Sequence, residues 1–217
     1  MIRGAIFDVD GTLLDSMKIW RTIGEIYLRS LGLEPEAGLA GDLKTLTLPQ
    51  AARYFQDRYG VALSVEEIME GVNGKIEDFY FHRAQLRPGV RQLLERLGKA
   101  GVRMDIATAT DRYLVEAALE RCGIRQYFLD IVTCTDYGSK EKPEIYLMAR
   151  QLLGTELRDT WVFEDACHGA RTAARAGFPV LGIRDPSEED QQGLKKVSAV
   201  YLESFLQADS FWKQVSL

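Results

Sequence analysis

Gly4-Ala5-Ile6-Phe7-Asp8-Val9-Asp10-Gly11-Thr12-Leu13-Leu14-Asp15 decides how the rest of this 217-residue chain is read. The apolar run over residues 4–9 has the length of a buried strand, and it stops abruptly in acids. Asp8 and Asp10 lie two positions apart, so in an extended chain they point the same way. Gly11 then permits a sharp turn. Like charges held this close cost energy unless a cation or a proton relieves them. The plainer reading, a loop of solvated acids, leaves an Asp-x-Asp-Gly-Thr run straight after a buried strand unexplained.

Outward from that stretch, further short apolar runs read as strands: residues 102–107, 131–134, 160–163 and 179–183, with a weaker one at 199–202. Amphipathic stretches at 90–100, 112–122, 143–153 and 168–176 alternate with them. Such alternation predicts an α/β fold, a doubly wound parallel sheet with helices on both faces. Ligands in these sheets bind beyond the carboxyl ends of the strands, so the residues just after each strand carry the most information. Asp105 interrupts its apolar run, and nothing in the sequence says why.

The alternation breaks once. Residues 16–85 show helical periodicity and no comparable strand: Ile19, Ile23, Ile26, Tyr27 and Leu31 fall on one helical face, and 48–59 and 65–85 are further helical candidates. Pro88-Gly89 punctuates the return. This predicts a core of residues 1–15 and 86–217 and a small helical cap of residues 16–85, inserted after the first strand above the carboxyl edge of the sheet. Residues 187–196 read as a charged, solvated helix or loop.

Composition narrows the class. The chain is 46% hydrophobic and 27% charged, ordinary for a globular protein. Its net charge of −5 argues against a surface that holds a nucleic acid backbone. No run approaches the roughly 20 apolar residues of a membrane span, and the first apolar run is too short for a signal peptide. Cys122, Cys134 and Cys167 form no CxxC pair, and an odd count fits a reducing compartment. A cytoplasmic protein, acting as a monomer or weak dimer, is expected.

With Phe7-Asp8-Val9-Asp10-Gly11-Thr12, the strand-end Thr108, the lysine-bearing Ser139-Lys140-Glu141-Lys142-Pro143-Glu144-Ile145-Tyr146 and the acidic Val162-Phe163-Glu164-Asp165, the chain resembles the haloacid dehalogenase-like superfamily in its phosphatase and phosphomutase branch, over nearly its whole length. The resemblance implies that Asp8 attacks phosphorus and forms an aspartyl-phosphate, and that Asp10 protonates the leaving oxygen and then activates water. It implies that Thr108 and Ala109 bind the phosphate after the second core strand. Taken alone, a Thr there is a helix cap; Thr110 or Asp111 suits that task better. It implies a lysine between nucleophile and phosphate. Aligning Pro143-Glu144-Ile145-Tyr146 with the end of the family pattern gives Lys140 that place, whereas Glu141 replaces the first proline and Lys142-Pro143 offers a second register. It implies that Asp165 completes a Mg2+ site with Asp8 and the Asp10 backbone carbonyl, and that Glu164 orients water or Lys140. Magnesium suits such a set because it is hard, octahedral and keeps waters. Cys167 and His168 read as ordinary helix-start packing.

The expected activity is therefore hydrolysis of a small phosphorylated metabolite. A phosphosugar mutase similar to β-phosphoglucomutase is the alternative, with the same core. Trp20 stands where that relative has a His in the first cap helix, no phosphate-gripping Arg is evident over residues 43–50, and Thr12 is the commoner phosphatase residue. Dehalogenase relatives use neither a second Asp nor a metal, and a binding module would have lost charged members of the site. Trp20, Lys44, Lys75 and His82 are the cap's candidates for substrate contact, and none belongs to a motif.

Overall fold

A computed structural model describes residues 1–44 and 46–215. In chain order the elements are β1 (Gly4–Phe7), α1 (Met17–Ser30), α2 (Leu39–Leu43), α3 (Leu48–Tyr59), α4 (Val65–His82), α5 (Val90–Lys99), β2 (Arg103–Thr108), α6 (Arg112–Arg121), β3 (Phe128–Thr133), α7 (Cys134–Tyr137), α8 (Glu144–Leu153), β4 (Thr160–Glu164), α9 (Cys167–Arg175), β5 (Val180–Ile183), α10 (Gln191–Val197), β6 (Val200–Leu202) and α11 (Asp209–Gln214). The chain divides into two compact units, one of Met1–Ser16 with Ala84–Leu217, the other Met17–Arg83. No helix among the described residues is long and apolar enough to cross a membrane.

The first unit holds a six-stranded parallel sheet in the order β3-β2-β1-β4-β5-β6. All four residues of β1 are buried, as a central strand covered on both faces requires. Ile6 belongs to a cluster with Val162, Ile145, Tyr146 and Ala170, under α8 and α9. Phe7, one residue on, stacks on Phe163 at 4.2 Å, and Phe163 meets Phe211 of α11 at 5.5 Å. Successive residues of one strand thus fill two cores. β2 and β4 flank β1 and the chain leaves it in opposite directions, so the crevice at the carboxyl ends of β1 and β4 is the topological switch point where such sheets bind ligands.

Asp105 acquires a reason here. β2 pairs with β3 through a register shift: Met104 faces Phe128, but Ile106 faces Ile131. The extra residue on β3 would strand the Asp130 N–H. Asp105 Oδ1 accepts it at 3.0 Å, and Ile106 N at 2.9 Å, in place of the missing ladder bond.

One local reading changes, one sharpens from helix or loop to helix, and one element is new. Cys134 opens α7 rather than ending a strand, with the Thr133 hydroxyl donating to Asp136 Oδ2 at 2.8 Å across the turn. The charged segment contains α10, whose Asp190 caps Gly193 N at 2.8 Å. The apolar tail residue Phe211 marks α11, an element that six residues of sequence are too short to announce.

The second unit is helical. Ser64 and Glu67 exchange hydrogen bonds that start α4, Glu67 N to Ser64 Oγ at 3.2 Å and Ser64 N to Glu67 Oε2 at 2.7 Å. A Cβ on Gly71 would lie 2.5 Å from the Tyr27 ring, so that glycine lets α1 and α4 pack closely. The buried face of α1 is Ile19, Gly24, Tyr27 and Leu28, whereas Leu31 lies beyond the helix and is exposed. Trp20 is half-exposed and its indole N–H donates to Tyr80 Oη at 3.1 Å.

Candidate active site

Parallel pairing of Phe7 with Phe163 brings the next residues, Asp8 and Glu164, side by side at the carboxyl edge. Asp165 follows directly. These three buried carboxylates each offer an oxygen, all within 4.8 Å of one another. Lys140, from the segment between α7 and α8, reaches in with only 6% of its surface exposed. Its ammonium donates to Asp8 Oδ1 and, at 2.7 Å, to Glu164 Oε1. Lys142 is exposed, so the structure places Lys140 in the cluster and Lys142 outside it.

The same Glu164 oxygen accepts from the Tyr146 hydroxyl at 2.8 Å, and Glu164 Oε2 accepts from Ala166 N at 3.3 Å. Gly169 makes room for this arrangement, since a Cβ there would lie 2.6 Å from Glu164 Oε1 and 2.8 Å from Tyr146 Oη. Sequence reading uses Tyr146 only to align the lysine motif and passes over Gly169. The signal that could have found them is a tyrosine at a fully buried position, whose hydroxyl must have a partner.

Asp10 is the more accessible acid of the first motif. Ser16 donates to its Oδ1 and Thr110 to its Oδ2. Thr110 is therefore not the cap of α6. Asp111 occupies that position and makes no side-chain capping bond. Thr110 N donates to Thr108 Oγ1 at 3.1 Å, which leaves the buried Thr108 hydroxyl hydrogen for an acceptor, and Ala109 is exposed beside it. Thr12, also buried, donates to Asp165 Oδ1 at 3.2 Å. Gly11, at φ 83°, makes the turn that returns the chain through Gly11 N to Leu14 O at 3.0 Å. His168 is exposed and Cys167 is buried, with its thiol against Asp190 at 3.4 Å.

Burial dominates the electrostatics. It pushes the Asp8 carboxyl up to about 7, with Lys140 opposing and Glu164 and Asp10 adding to the rise. Asp165 is raised well above the carboxylate range by burial and then by Asp8 and Glu164. Burial alone would lower Lys140, but Asp8 and Glu164 more than reverse it and lock the ammonium in its charged form. Three carboxylates facing one ammonium carry two uncompensated negative charges when ionised. A divalent cation offsets that excess, and an all-oxygen donor set is the kind that Mg2+ takes. The residues present fit the metal that the family generally uses.

A haloacid dehalogenase-like hydrolase model matches residues 5–183. The chain is 25% identical over 207 residues to a phosphorylated carbohydrates phosphatase of Thermotoga maritima, covering 93% of this chain and 94% of that one. It is 26% identical over 186 residues to hexitol phosphatase A of Escherichia coli, covering 86% and 85%. A β-phosphoglucomutase-like protein of Thermotoga maritima superposes with a TM-score of 0.87 over 99% of this chain and 100% of that one; at 24% identity this likeness shows the fold. The family model spans the sheet from β1 through β5 and every residue of the acidic crevice, and the chain belongs to the haloacid dehalogenase-like hydrolases, a hydrolase acting on phosphate esters.

Proposed function

We propose that the chain hydrolyses a small phosphate monoester through an aspartyl-phosphate on Asp8, with Mg2+ as its cofactor. The observation that carries this is the Lys140 ammonium seated between Asp8 and Glu164 in a buried acidic crevice at the switch point of the sheet. Asp8, Asp165 and the Asp10 backbone carbonyl would hold the metal, which when bound offsets charge on the phosphoryl group and the attacking carboxylate. Lys140 favours the ionised form of Asp8 against its burial and supplies positive charge for the equatorial phosphoryl oxygens. The Thr108 hydroxyl and the backbone at Ala109 grip the phosphate.

Asp8 forms a bond to phosphorus as the ester P–O bond breaks, and the leaving oxygen takes a proton from Asp10. Asp10, now a carboxylate, takes a proton from water as the water oxygen bonds to phosphorus and the Asp8 oxygen leaves. Inorganic phosphate and an alcohol result, and Asp8 and Asp10 return to their starting states. The two hydroxyls on Asp10 hold it in place between these steps. Relatives named as phosphatases of phosphorylated carbohydrates and hexitols support a small polyol or sugar phosphate as substrate.

Asp8→Asn tests the reading. It should abolish turnover of an aryl phosphate and the acid-stable phosphate adduct seen by intact mass, because an amide is no nucleophile here. Full turnover by Asp8→Asn, or by wild-type protein after exhaustive chelation, would sink it.

A further inference from the structure

Arg87 follows the inserted helical unit in sequence, precedes α5, and belongs to no motif singled out above. Its side chain is only 13% exposed. Nη1 donates to the Gly11 carbonyl, inside the Asp-x-Asp-Gly-Thr turn, and lies 3.5 Å from Asp185 Oδ2. Nη2 donates to the Arg184 carbonyl at 2.5 Å. The backbone joins in: Arg87 N donates to Leu13 O at 2.9 Å, and Asp15 N to Gln85 O at 2.9 Å, around an antiparallel bridge of Leu14 with Leu86. Asp185 is fixed in turn, its Oδ1 accepting from Ser187 N at 2.8 Å and Ser187 Oγ at 2.6 Å.

We propose that Arg87 is a positioning residue of the phosphatase site, tying the Gly11 carbonyl to the buried Asp185 beyond β5 and so setting where Asp10 and Thr12 stand. The inference rests on the roles proposed above for Asp10. Gly11 lies between Asp10 and Thr12, and its φ of 83° is a conformation that glycine adopts without the strain other residues meet. A charged donor on its carbonyl holds that conformation through a strong bond in a water-poor place. The fork is required: one guanidinium reaches three acceptors on two segments, which the single nitrogen of a lysine cannot span. Asp185 is 4% exposed, so its charge needs the guanidinium as much as the turn does. A general acid displaced by even an ångström loses its proton-transfer geometry, while a nucleophile pinned by Lys140 is less affected.

The test is leaving-group dependence, measured as kcat/KM for dinitrophenyl phosphate, which departs without a proton, and for an alkyl phosphate, which needs one. Arg87→Met should cost less than about tenfold on the first and on the order of a hundredfold on the second, and Arg87→Lys should restore little of the difference. A fold defect lowers both substrates equally, and circular dichroism gives the folded fraction to which rates are referred. Equal losses on the two substrates, or none, overturn the inference. Asp10→Asn, run alongside, separates it from the reading beneath: if Asp10→Asn leaves the leaving-group dependence flat, the acid–base role falls. If Asp10→Asn steepens it and neither Arg87 variant does, the positioning role alone falls.

Discussion

Tyr146 donates its hydroxyl to Glu164 Oε1 at 2.8 Å, the same oxygen that accepts from Lys140 at 2.7 Å. The carboxylate thus takes two donors on one oxygen, and the phenol helps aim it at the ammonium that Asp8 shares. Burial and the Glu164 charge push the Tyr146 hydroxyl well above its ordinary value, so it stays a donor at any working pH. Tyr146→Phe should cost about 1.5–3 kcal/mol of stability, the range for a hydrogen bond to a charged group, and several-fold in kcat. Gly169→Ala should cost more, because its Cβ would lie 2.6 Å from Glu164 Oε1 and 2.8 Å from Tyr146 Oη, buried tips that their bonds to Lys140 and to each other hold in place. Urea midpoints and aryl phosphate turnover of the two variants check both values; a neutral Tyr146→Phe would show that Lys140 alone aims Glu164.

The two lysines of the third motif should separate sharply. Lys140 is 6% exposed and touches Asp8 and Glu164, whereas Lys142 is exposed. Lys140→Ala should lower kcat/KM by a factor equivalent to on the order of 3 kcal/mol, as for other buried electrostatic groups aimed at a transition state. Lys142→Ala should stay within about twofold of wild type. Steady-state rates on one substrate decide it, and a larger effect at Lys142 would overturn the placement of the ammonium.

How much of this was written in the sequence follows from what kind of interaction each residue makes. Strand–helix alternation predicts the parallel sheet because buried strands need apolar runs, and the six strands lie where those runs are. Asp8, Glu164 and Asp165 come together because each ends or follows a run that the periodicity marks, whereas Lys140 was legible only through the resemblance of its segment to the family pattern. Tyr146, Thr12, Ser16 and Thr110 were harder to see: each acts by a hydroxyl aimed at an acid between 6 and 153 positions away, and hydroxyl direction has no period. Arg87 is invisible for the same reason, its partners Gly11 and Asp185 lying 76 and 98 positions distant. Asp105 had no reason in the sequence because the bulge that needs it sits on the partner strand.

Asp105 makes a pH prediction. Burial raises it to about 6, against its ordinary 3.8, although Ile106 N and Asp130 N pull it down through Oδ1; Oδ2 has no hydrogen-bond partner among the described residues. A carboxyl whose folded value is raised favours the folded state when protonated. Its contribution is fully present below pH 3.8 and is lost as pH rises through about 6. The difference should approach about 3 kcal/mol, since each tenfold change in proton affinity between folded and unfolded chain is worth about 1.4 kcal/mol. Asp105→Asn keeps the acceptor for both N–H groups and cannot ionise. Wild type should therefore lose stability relative to Asp105→Asn between pH 4 and 7, and the wild-type-minus-variant urea curves remove the other acids from the comparison. Parallel pH profiles would show Asp105 to be neutral throughout or solvated.

The last prediction concerns the acceptor of the phosphoryl group, where hydrolase and mutase part. Both would load Asp8 from a phosphate ester, and what attacks next depends on whether a sugar hydroxyl or water is held over phosphorus. A mutase needs a side chain that grips a second phosphate. No arginine in the sequence over residues 43–50 suits that task, and by the resemblance Trp20 stands in place of the acid–base histidine, its one polar hydrogen already given to Tyr80 at 3.1 Å. An indole brings no charge to a bisphosphate. Water is therefore the expected acceptor. Incubation with β-glucose 1-phosphate, magnesium and a trace of glucose 1,6-bisphosphate should release free phosphate and no glucose 6-phosphate beyond the uncatalysed background. With H2 18O, one labelled oxygen should enter each phosphate released, as attack of water on the phosphorus of the Asp8 adduct demands. Glucose 6-phosphate appearing many times faster than phosphate would establish the mutase in its place, and Trp20→His should then speed the isomerisation rather than the hydrolysis.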